Sequence, residues 1–504
     1  MISRVVSLAL LLPLLALARN SLLLTPPMGW MSWELFRCNL ATPTDDCTDP
    51  LTTHCISEAL YKGQADALVS GGFAAAGYTG IHMDDCWAAR TRDPVTGQLQ
   101  PNATRFPSGM AVLGTYLHTR NLTFGLYSAE STHTCAGYPA SLYVEGLDAK
   151  TFASWGVDYA KIDGCGSAEN YPAGYQRMGA ALESSGRPIA YSCSLPAYTN
   201  FNNETLQPYS TLIMDGCNLW RNYHDIQCSW GSLLDIMNHF GEWGSVLAPY
   251  AGPGHWHDPD MLLIGSGCLS LAEERTQMAI WSVLAAPLIM GNDLRNVSTA
   301  SAAILTNPRA IAIDQDPLGQ MGLRVQGGAA TPYQVWARLL ADGRIAVAAT
   351  NNLGGVPPPA PCPAWNHTPG GFFDSCGGGM GWFYNRTLDQ AQALCCENVY
   401  CGGILFPPGV VIGSGTFVLN TGCGFVPSTV FSEYTKEGFS PPVGGSIDIP
   451  IALAKAGLDA LHAWEVTDVW SGARVGSVTK GAAYFTAASV AFHDTAFLLF
   501  TRVQ

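Results

Sequence analysis

Acidic residues recur in this chain at the ends of short apolar runs. Asp84-Asp85 follow Thr79–Met83, Asp163 closes Val157–Asp163 two residues after Lys161, Asp225 lies four residues past Arg221, and Asp258-Pro259-Asp260 follow Gly254-His255-Trp256-His257. Aromatic residues share the pattern: Trp33 ends the first such run and Tyr127 the third. A lone aspartate after a strand usually caps the next helix. A set converging on one rim has a different use. Breaking a glycosidic bond passes through an oxocarbenium-like state and needs one carboxylate as nucleophile or base and one carboxylic acid. Further carboxylates accept hydrogen bonds from vicinal hydroxyls, an indole covers the apolar face of a sugar ring, and a lysine beside a carboxylate favours its ionised form.

Two rival constellations are weaker. His255 and His257 with Asp258 and Asp260 offer metal-ligand types, but no further spaced histidine accompanies them. Cys395, Cys396 and Cys401 lack histidine partners, there is no C-x-x-C pair, and no G-x-S-x-G elbow marks a serine hydrolase. Neither a metal nor an organic cofactor is expected.

The elements that position these residues alternate from residue 24 to about 295. Strands are expected at Pro27–Trp33, Thr79–Asp85, Thr123–Tyr127, Val157–Asp163, Pro188–Ser194, Thr211–Asn218, Val246–Ala251 with its loop, and Pro287–Asn292. Helix-like windows intervene, among them Ile56–Ala76, Met110–Arg120, Gly174–Ser184, Leu233–Phe240 and Ser270–Leu284. Eight strand–helix alternations predict an α/β fold, a (β/α)8 TIM barrel over 19–320, with its active site at the carboxyl ends of the strands. An open doubly wound sheet would carry a Gly-rich phosphate turn after its first strand, and none is present. After Asp316 the period changes to two, as in Gln334-Val335-Trp336-Ala337, which predicts a C-terminal antiparallel β-sandwich domain over 321–504. A Pro- and Gly-rich stretch at about 357–430 holds six of the sixteen cysteines and reads as an insertion into it.

Net charge is −14 and no basic block occurs, which argues against nucleic acid and anionic membranes as partners. Met1–Arg4, the apolar Val5–Leu15 and Ala16-Leu17-Ala18 have the form of a signal peptide cleaved near Ala18, too short to span a bilayer. Sixteen cysteines and six N-x-S/T sequons, at Asn102, Asn121, Asn203, Asn296, Asn366 and Asn385, agree with the secretory pathway, in a lysosome or outside the cell.

These residues together resemble glycoside hydrolase family 27, the α-galactosidases and α-N-acetylgalactosaminidases, most closely its animal lysosomal branch. The resemblance rests on Pro27-Met28-Gly29-Trp30 with Trp33, Met83-Asp84-Asp85-Cys86-Trp87, Thr134-Cys135-Ala136-Gly137 and Lys161-Ile162-Asp163-Gly164-Cys165. It continues through Tyr191-Ser192-Cys193, Trp220-Arg221-Asn222 with Asp225, Asp258-Pro259-Asp260-Met261 and Ala286-Pro287-Leu288-Ile289-Met290, covering roughly 24–350 and resuming weakly near 445. It implies Asp163 as nucleophile and Asp225 as general acid/base of a retaining exo-glycosidase. Asp84, Asp85, Tyr127, Lys161, Arg221 and Asp260 would complete the pocket, with Trp33 stacking on the sugar. It also implies disulfides Cys38–Cys86, Cys47–Cys55, Cys135–Cys165 and Cys193–Cys217; Cys228 and Cys268 are left over and are guessed to pair. A homodimer is implied only by analogy.

Ser194 and Ala197, with Tyr198 beside them, bear on the substrate. In the animal branch α-galactosidases look like Glu and Leu at these positions, whereas α-N-acetylgalactosaminidases have Ser and Ala. Large residues would fill the space beside sugar C2; small ones leave a recess for an acetamido group yet still admit a hydroxyl. The expectation is therefore hydrolysis of terminal α-linked N-acetylgalactosamine from glycoconjugates with residual α-galactosidase activity. The alternatives are α-galactosidase and a catalytically silent sugar-binding protein, which would lack one of the two carboxylates. Three departures stand out: His257, in an outer turn, replaces the family's usual Asn; Leu195 replaces the animal enzymes' Trp at the rim of the recess; and the cysteine-rich insertion has no counterpart.

Overall fold

A computed structural model describes residues 20–40, 47–167, 171–199, 203–352 and 446–503, with the backbone of short strands between 365 and 436. The proposed signal peptide and the linking parts of the insertion lie outside the described residues.

Eight parallel strands form one curled sheet: β1 Met28–Met31, β2 Gly80–His82, β3 Thr123–Ala129, β4 Tyr159–Asp163, β5 Ala190–Cys193, β6 Leu219–Arg221, β7 Trp256–Asp258 and β8 Leu288–Met290. They pair in chain order, and β8 returns to β1 through Met28–Leu288 and Trp30–Met290. The ring closes just beyond β7. Leu262 bridges to Met290, its N–H donating to Ile289 O at 2.7 Å while its C=O accepts from Gly291 N at 2.9 Å. His82 fills the barrel interior. Three glycines clear its space, since a Cβ at Gly80 or Gly125 would stand 2.2 or 2.0 Å from the imidazole and one at Gly29 3.0 Å. Burial pushes that imidazole down to about 3, so it is a neutral filler.

The helices are α1 Trp33–Phe36, α2 Glu58–Ser70, α3 Met110–His118, α4 Glu145–Ser154, α5 Tyr171–Glu183, α6 Leu195–Tyr198, α7 Tyr209–Met214, α8 Trp230–Leu247, α9 Leu271–Leu284, α10 Thr299–Leu305 and α11 Pro308–Asp314. Side-chain caps start several of them: Ser57 for α2, Ser229 for α8, and a full capping box of Ser270 and Glu273 for α9.

Two expected strands are corrected. Thr211–Asn218 is not strand six; most of it lies in and just after α7, where Tyr209 and Leu212 are buried three residues apart while Ser210, Thr211 and Met214 face outward. A short apolar run does not distinguish strand from helix by itself; the buried spacing here is helical. Val246–Ala251 is likewise the end of α8 and a 3-10 turn at Ala248–Tyr250, and the seventh strand comes later. Arg221 and Asp258 thus lie within strands. Trp33, expected to end strand one, begins α1.

Beyond the barrel, β9 Leu323–Gly327, β10 Tyr333–Leu339 and β11 Ile345–Asn351 join Thr495–Arg502, Trp464–Asp468 and Arg474–Val478 in a six-stranded antiparallel sheet. A two-stranded sheet of Ile447–Ala452 and Tyr484–Val490 packs on it through Val335, Val347, Ile449, Ile451, Val466 and Phe500. Helix α9 braces this layer: Arg275 Nε donates to Asp494 Oδ1 at 2.9 Å and Thr276 Oγ1 to His493 O at 2.6 Å.

Candidate active site

The carboxyl ends of the barrel strands gather the acidic residues. One residue beyond β2, Asp84 and Asp85 are each only 2% exposed. Asp84 Oδ1 accepts from Asp85 N at 2.8 Å, and Oδ2 accepts from Lys161 Nζ of β4 at 2.7 Å. Asp85 Oδ2 accepts from Ala136 N at 2.9 Å, which ties the β3 loop to the β2 end. Burial pushes the Asp84 carboxyl up to about 6 despite Lys161, and raises Asp85 as well. Burial alone would favour neutral Lys161; Asp163 and Asp84 overcome it and hold the ammonium. The buried Tyr127 ring lies 5.4 Å from that ammonium.

Asp163 is the last residue of β4, half-buried, with its backbone C=O held by Glu130 N at 2.7 Å. Its carboxylate lies within 4.8 Å of both Cys135 and Cys165 sulfurs. Those sulfurs are joined in a disulfide, so they offer no thiolates to a metal ion. Tyr127 Oη approaches Cys165 Sγ at 3.5 Å and Tyr198 Oη approaches Cys135 Sγ at 3.4 Å. A Cβ at Gly164 would stand 2.4 Å from the Tyr198 ring, so only glycine lets that ring close over the end of β4.

Across the bowl, the buried Arg221 of β6 reaches Asp225 Oδ1 at 3.1 Å and Asp260 Oδ2 at 3.0 Å, and also donates to His224 O at 2.9 Å. Asp260 adopts a left-handed backbone, φ 87°, and accepts from Ile226 N at 2.8 Å and Met261 N at 2.9 Å. Such strain in a non-glycine residue persists where surrounding bonds over-determine it. Asp225 is the open carboxylate, 61% exposed at its side chain. Enclosure by the rim opposes its ionisation, but Arg221, Lys161 and Arg37 outweigh that and hold it below the usual range. Asp258 accepts from Asp260 N at 2.8 Å and is pushed up to about 6, chiefly by burial. The Tyr198 hydroxyl is raised by burial, then by Asp163 and Asp225 together, so the two carboxylates share a neighbour.

Ser194 lies just before α6, 1% exposed, and its Oγ has no hydrogen-bond partner. Ala197 and Tyr198 follow it half-buried. Leu195 departs from expectation: it is 2% exposed and packs inward, not at the rim. His257 is also not in an outer turn; it is a buried residue of β7. Trp220 Nε1 donates to its Nδ1 at 2.9 Å and its Nε2 meets Leu247 O at 2.8 Å, while burial holds it neutral with a pKa about 3. His255 Nδ1 meets Tyr250 O at 2.6 Å. Both histidines are thus engaged away from Asp258 and Asp260.

Five disulfides staple the barrel: Cys38–Cys86, Cys47–Cys55, Cys135–Cys165, Cys193–Cys217 and Cys228–Cys268. Of the sequon asparagines, Asn121 and Asn296 are exposed, and Asn102 and Asn203 are half-buried with Oδ1 accepting from Arg105 N and Thr205 N. Asn366 and Asn385 have side chains outside the described residues. Two rim residues carry no motif: Glu34 and Arg37, whose opposite charges three residues apart after Trp33 are the only sequence signal for them.

A barrel whose strand ends gather these carboxylates with Lys161 and Arg221 fits a glycoside hydrolase. Residues 25–316 match the family model described as alpha galactosidase A. The chain is 49% identical over 308 residues to the alpha-N-acetylgalactosaminidase of Homo sapiens, covering 61% of this chain and 72% of that one. It is 44% identical over 335 residues to human alpha-galactosidase A, covering 66% and 75%. The α-galactosidase structure from Saccharomyces cerevisiae superposes with a TM-score of 0.67 over 97% of this chain and 100% of that one; at 23% identity it speaks for the fold alone. The chain belongs to the alpha galactosidase A family, glycoside hydrolase family 27. Among the described residues no helix is long and apolar enough to cross a membrane.

Proposed function

We propose that this glycoside hydrolase removes terminal α-linked N-acetylgalactosamine from glycoconjugates, with residual α-galactosidase activity, by double displacement. Asp163 Oδ attacks the anomeric carbon while Asp225, ionised in the open site and protonated once the bound sugar desolvates it, delivers that proton to the departing glycosidic oxygen. The glycosyl–Asp163 ester is then opened by water, whose proton returns to Asp225, with net retention. Asp84, Asp85, Lys161, Tyr127, Arg221 and Asp260 hold the ring hydroxyls and Trp33 covers its apolar face.

Ser194 carries the choice of substrate. Its buried, unpartnered Oγ, flanked by the small Ala197, stands on the loop whose Tyr198 leans over the end of β4. A buried hydroxyl without a partner costs about 1–3 kcal/mol, which an acetamido oxygen or N–H brought against it would recover. The names of the two human relatives agree with the two activities. Comparing kcat/KM for p-nitrophenyl α-GalNAc and p-nitrophenyl α-Gal at acidic pH tests the reading. A strong preference for the galactoside overturns the substrate choice, and inertness toward both overturns the enzymatic reading.

We further propose that 19–320 is the catalytic domain, 321–504 the β-sandwich domain interrupted at about 357–430, and 1–18 a signal peptide directing the chain to a lysosome or the exterior. The assembly we propose is a homodimer, which light scattering of the secreted glycoprotein checks.

A further inference from the structure

Behind the acid/base side of the bowl runs a chain of buried side chains that the proposed mechanism does not use. His257 of β7 pairs with Trp220 of β6, one step before the pair of Asp258 and Arg221. Strand alternation puts Arg221 and Asp258 on one face, and Trp220 and His257 on the other, against α7 and the end of α8. The donors fix the tautomer of His257. An indole N–H can only donate, and Trp220 Nε1 meets His257 Nδ1 at 2.9 Å. Nδ1 is therefore the acceptor, and Asn222 Nδ2 donates to it as well, at 3.0 Å. The proton sits on Nε2, which donates to Leu247 O at 2.8 Å. Asn222 Nδ2 gives its second hydrogen to Tyr209 Oη at 2.6 Å, and Tyr209 Oη donates to Glu204 Oε2. Glu204 Oε1 accepts from His239 Nε2 of α8 at 2.6 Å. All six side chains are buried, and a buried run in which every donor meets an acceptor holds one geometry.

That geometry reaches the reaction through Arg221 and the loop that Asn222 opens. Arg221 stands in sequence between Trp220 and Asn222, the two residues that donate to His257 Nδ1. Its Nη2 gathers the loop, donating to Tyr223 O at 3.3 Å, His224 O at 2.9 Å and Asp225 Oδ1 at 3.1 Å. We infer that His257 is a positioning residue: by accepting from both flanks of Arg221 it fixes the guanidinium that presents the Asp225 carboxyl to the leaving group. This rests on Asp225 being the acid/base. The acceptor at Nδ1 carries the effect, whereas Nε2 ties β7 to α8. The amide oxygen introduced by His257→Asn reaches the place of Nδ1, but nothing in that side chain extends as far as Nε2.

The test is the ratio of kcat/KM for p-nitrophenyl α-GalNAc to that for phenyl α-GalNAc, or for the two α-galactosides if those are the better substrates. Phenol is the poorer leaving group and needs the delivered proton more, so the ratio rises when acid catalysis fails. Loss of folded enzyme lowers both constants alike and leaves the ratio unmoved. His257→Leu removes the acceptor and is expected to raise the ratio by about tenfold, within the cost of misplacing a catalytic group by about 1 Å. His257→Asn is expected to keep the ratio near the parent's while lowering Tm. An unmoved ratio in His257→Leu, or an equal rise in His257→Asn, overturns the inference and leaves the glycosidase reading intact. If His257→Leu does not fold, Asn222→Ala withdraws one of the two donors; a ratio raised by about threefold supports the inference and an unmoved one overturns it. Asp225→Ala is the control. A parental ratio in that variant, or a parent inert toward all four glycosides, overturns the functional reading and this inference with it.

Discussion

Lys161 Nζ lies 2.7 Å from Asp84 Oδ2, joining the fourth and second strands across the floor of the bowl. Both groups are nearly buried, at 12% and 3% side-chain exposure, so each depends on the other to remain charged. Removing one partner of a buried pair is more damaging than never having had it. Lys161→Met is therefore expected to lower kcat/KM by about a thousandfold or more, since it also strips the cation beside Asp163. Steady-state assay of a variant that keeps the parent's circular dichroism checks this; near-parental turnover would contradict it.

Asp163→Asn is expected to reduce kcat by at least about a thousandfold with every leaving group, because the nucleophile is used whatever departs. Asp225→Ala should instead spare substrates with acidic phenol leaving groups relative to poor ones. Full turnover by the Asn variant would mean that the nucleophile is another residue. Proton NMR of the first-formed sugar should show the α-anomer.

Ser194→Glu combined with Ala197→Leu fills the space beside sugar C2. The ratio of kcat/KM for α-GalNAc to that for α-Gal is expected to fall by about tenfold to a hundredfold, the usual scale for closing a small recess. An unchanged ratio would count against the Ser194 argument.

Replacing Cys135 and Cys165 together by Ser removes a link closing a 30-residue separation. Loop-closure entropy puts the loss at about 3–4 kcal/mol. Activity should fall further than stability alone requires, because the same link supports the hydroxyls of Tyr127 and Tyr198 beside Asp163. Denaturant melts and kcat measured well below the melting midpoint separate the two effects.

Stability should favour acid. Burial raises Asp84 and Asp258 from 3.8 to about 6, Glu34 from 4.5 to about 8 and Glu130 from 4.5 to about 9. Each raised carboxyl stabilises the fold fully below its unfolded pKa and loses that contribution as pH rises through its folded value. Tm is therefore expected to fall between about pH 5 and pH 8, and scanning calorimetry across that window would reveal a flat or rising Tm if the burial argument fails.

Residue order alone was enough for the barrel's rhythm, the acidic strand ends and the family motifs, because these depend on local period and on residue types at fixed spacing. The half-buried helix α7 and the true position of β7 were not legible in it: a short apolar run fits either a strand or a helix until its neighbours choose which face is buried. Leu195 and His257 show the same limit, since their burial depends on elements distant in sequence. The tertiary structure also decided the charges. Spacing brought Asp84, Asp163 and Lys161 into view as candidates, but which of them is desolvated, which is paired, and how Glu34 stays protonated beside Arg37 follow only from burial and from distances across the barrel, where a weakly screened interior makes each ionisation depend on partners far along the chain.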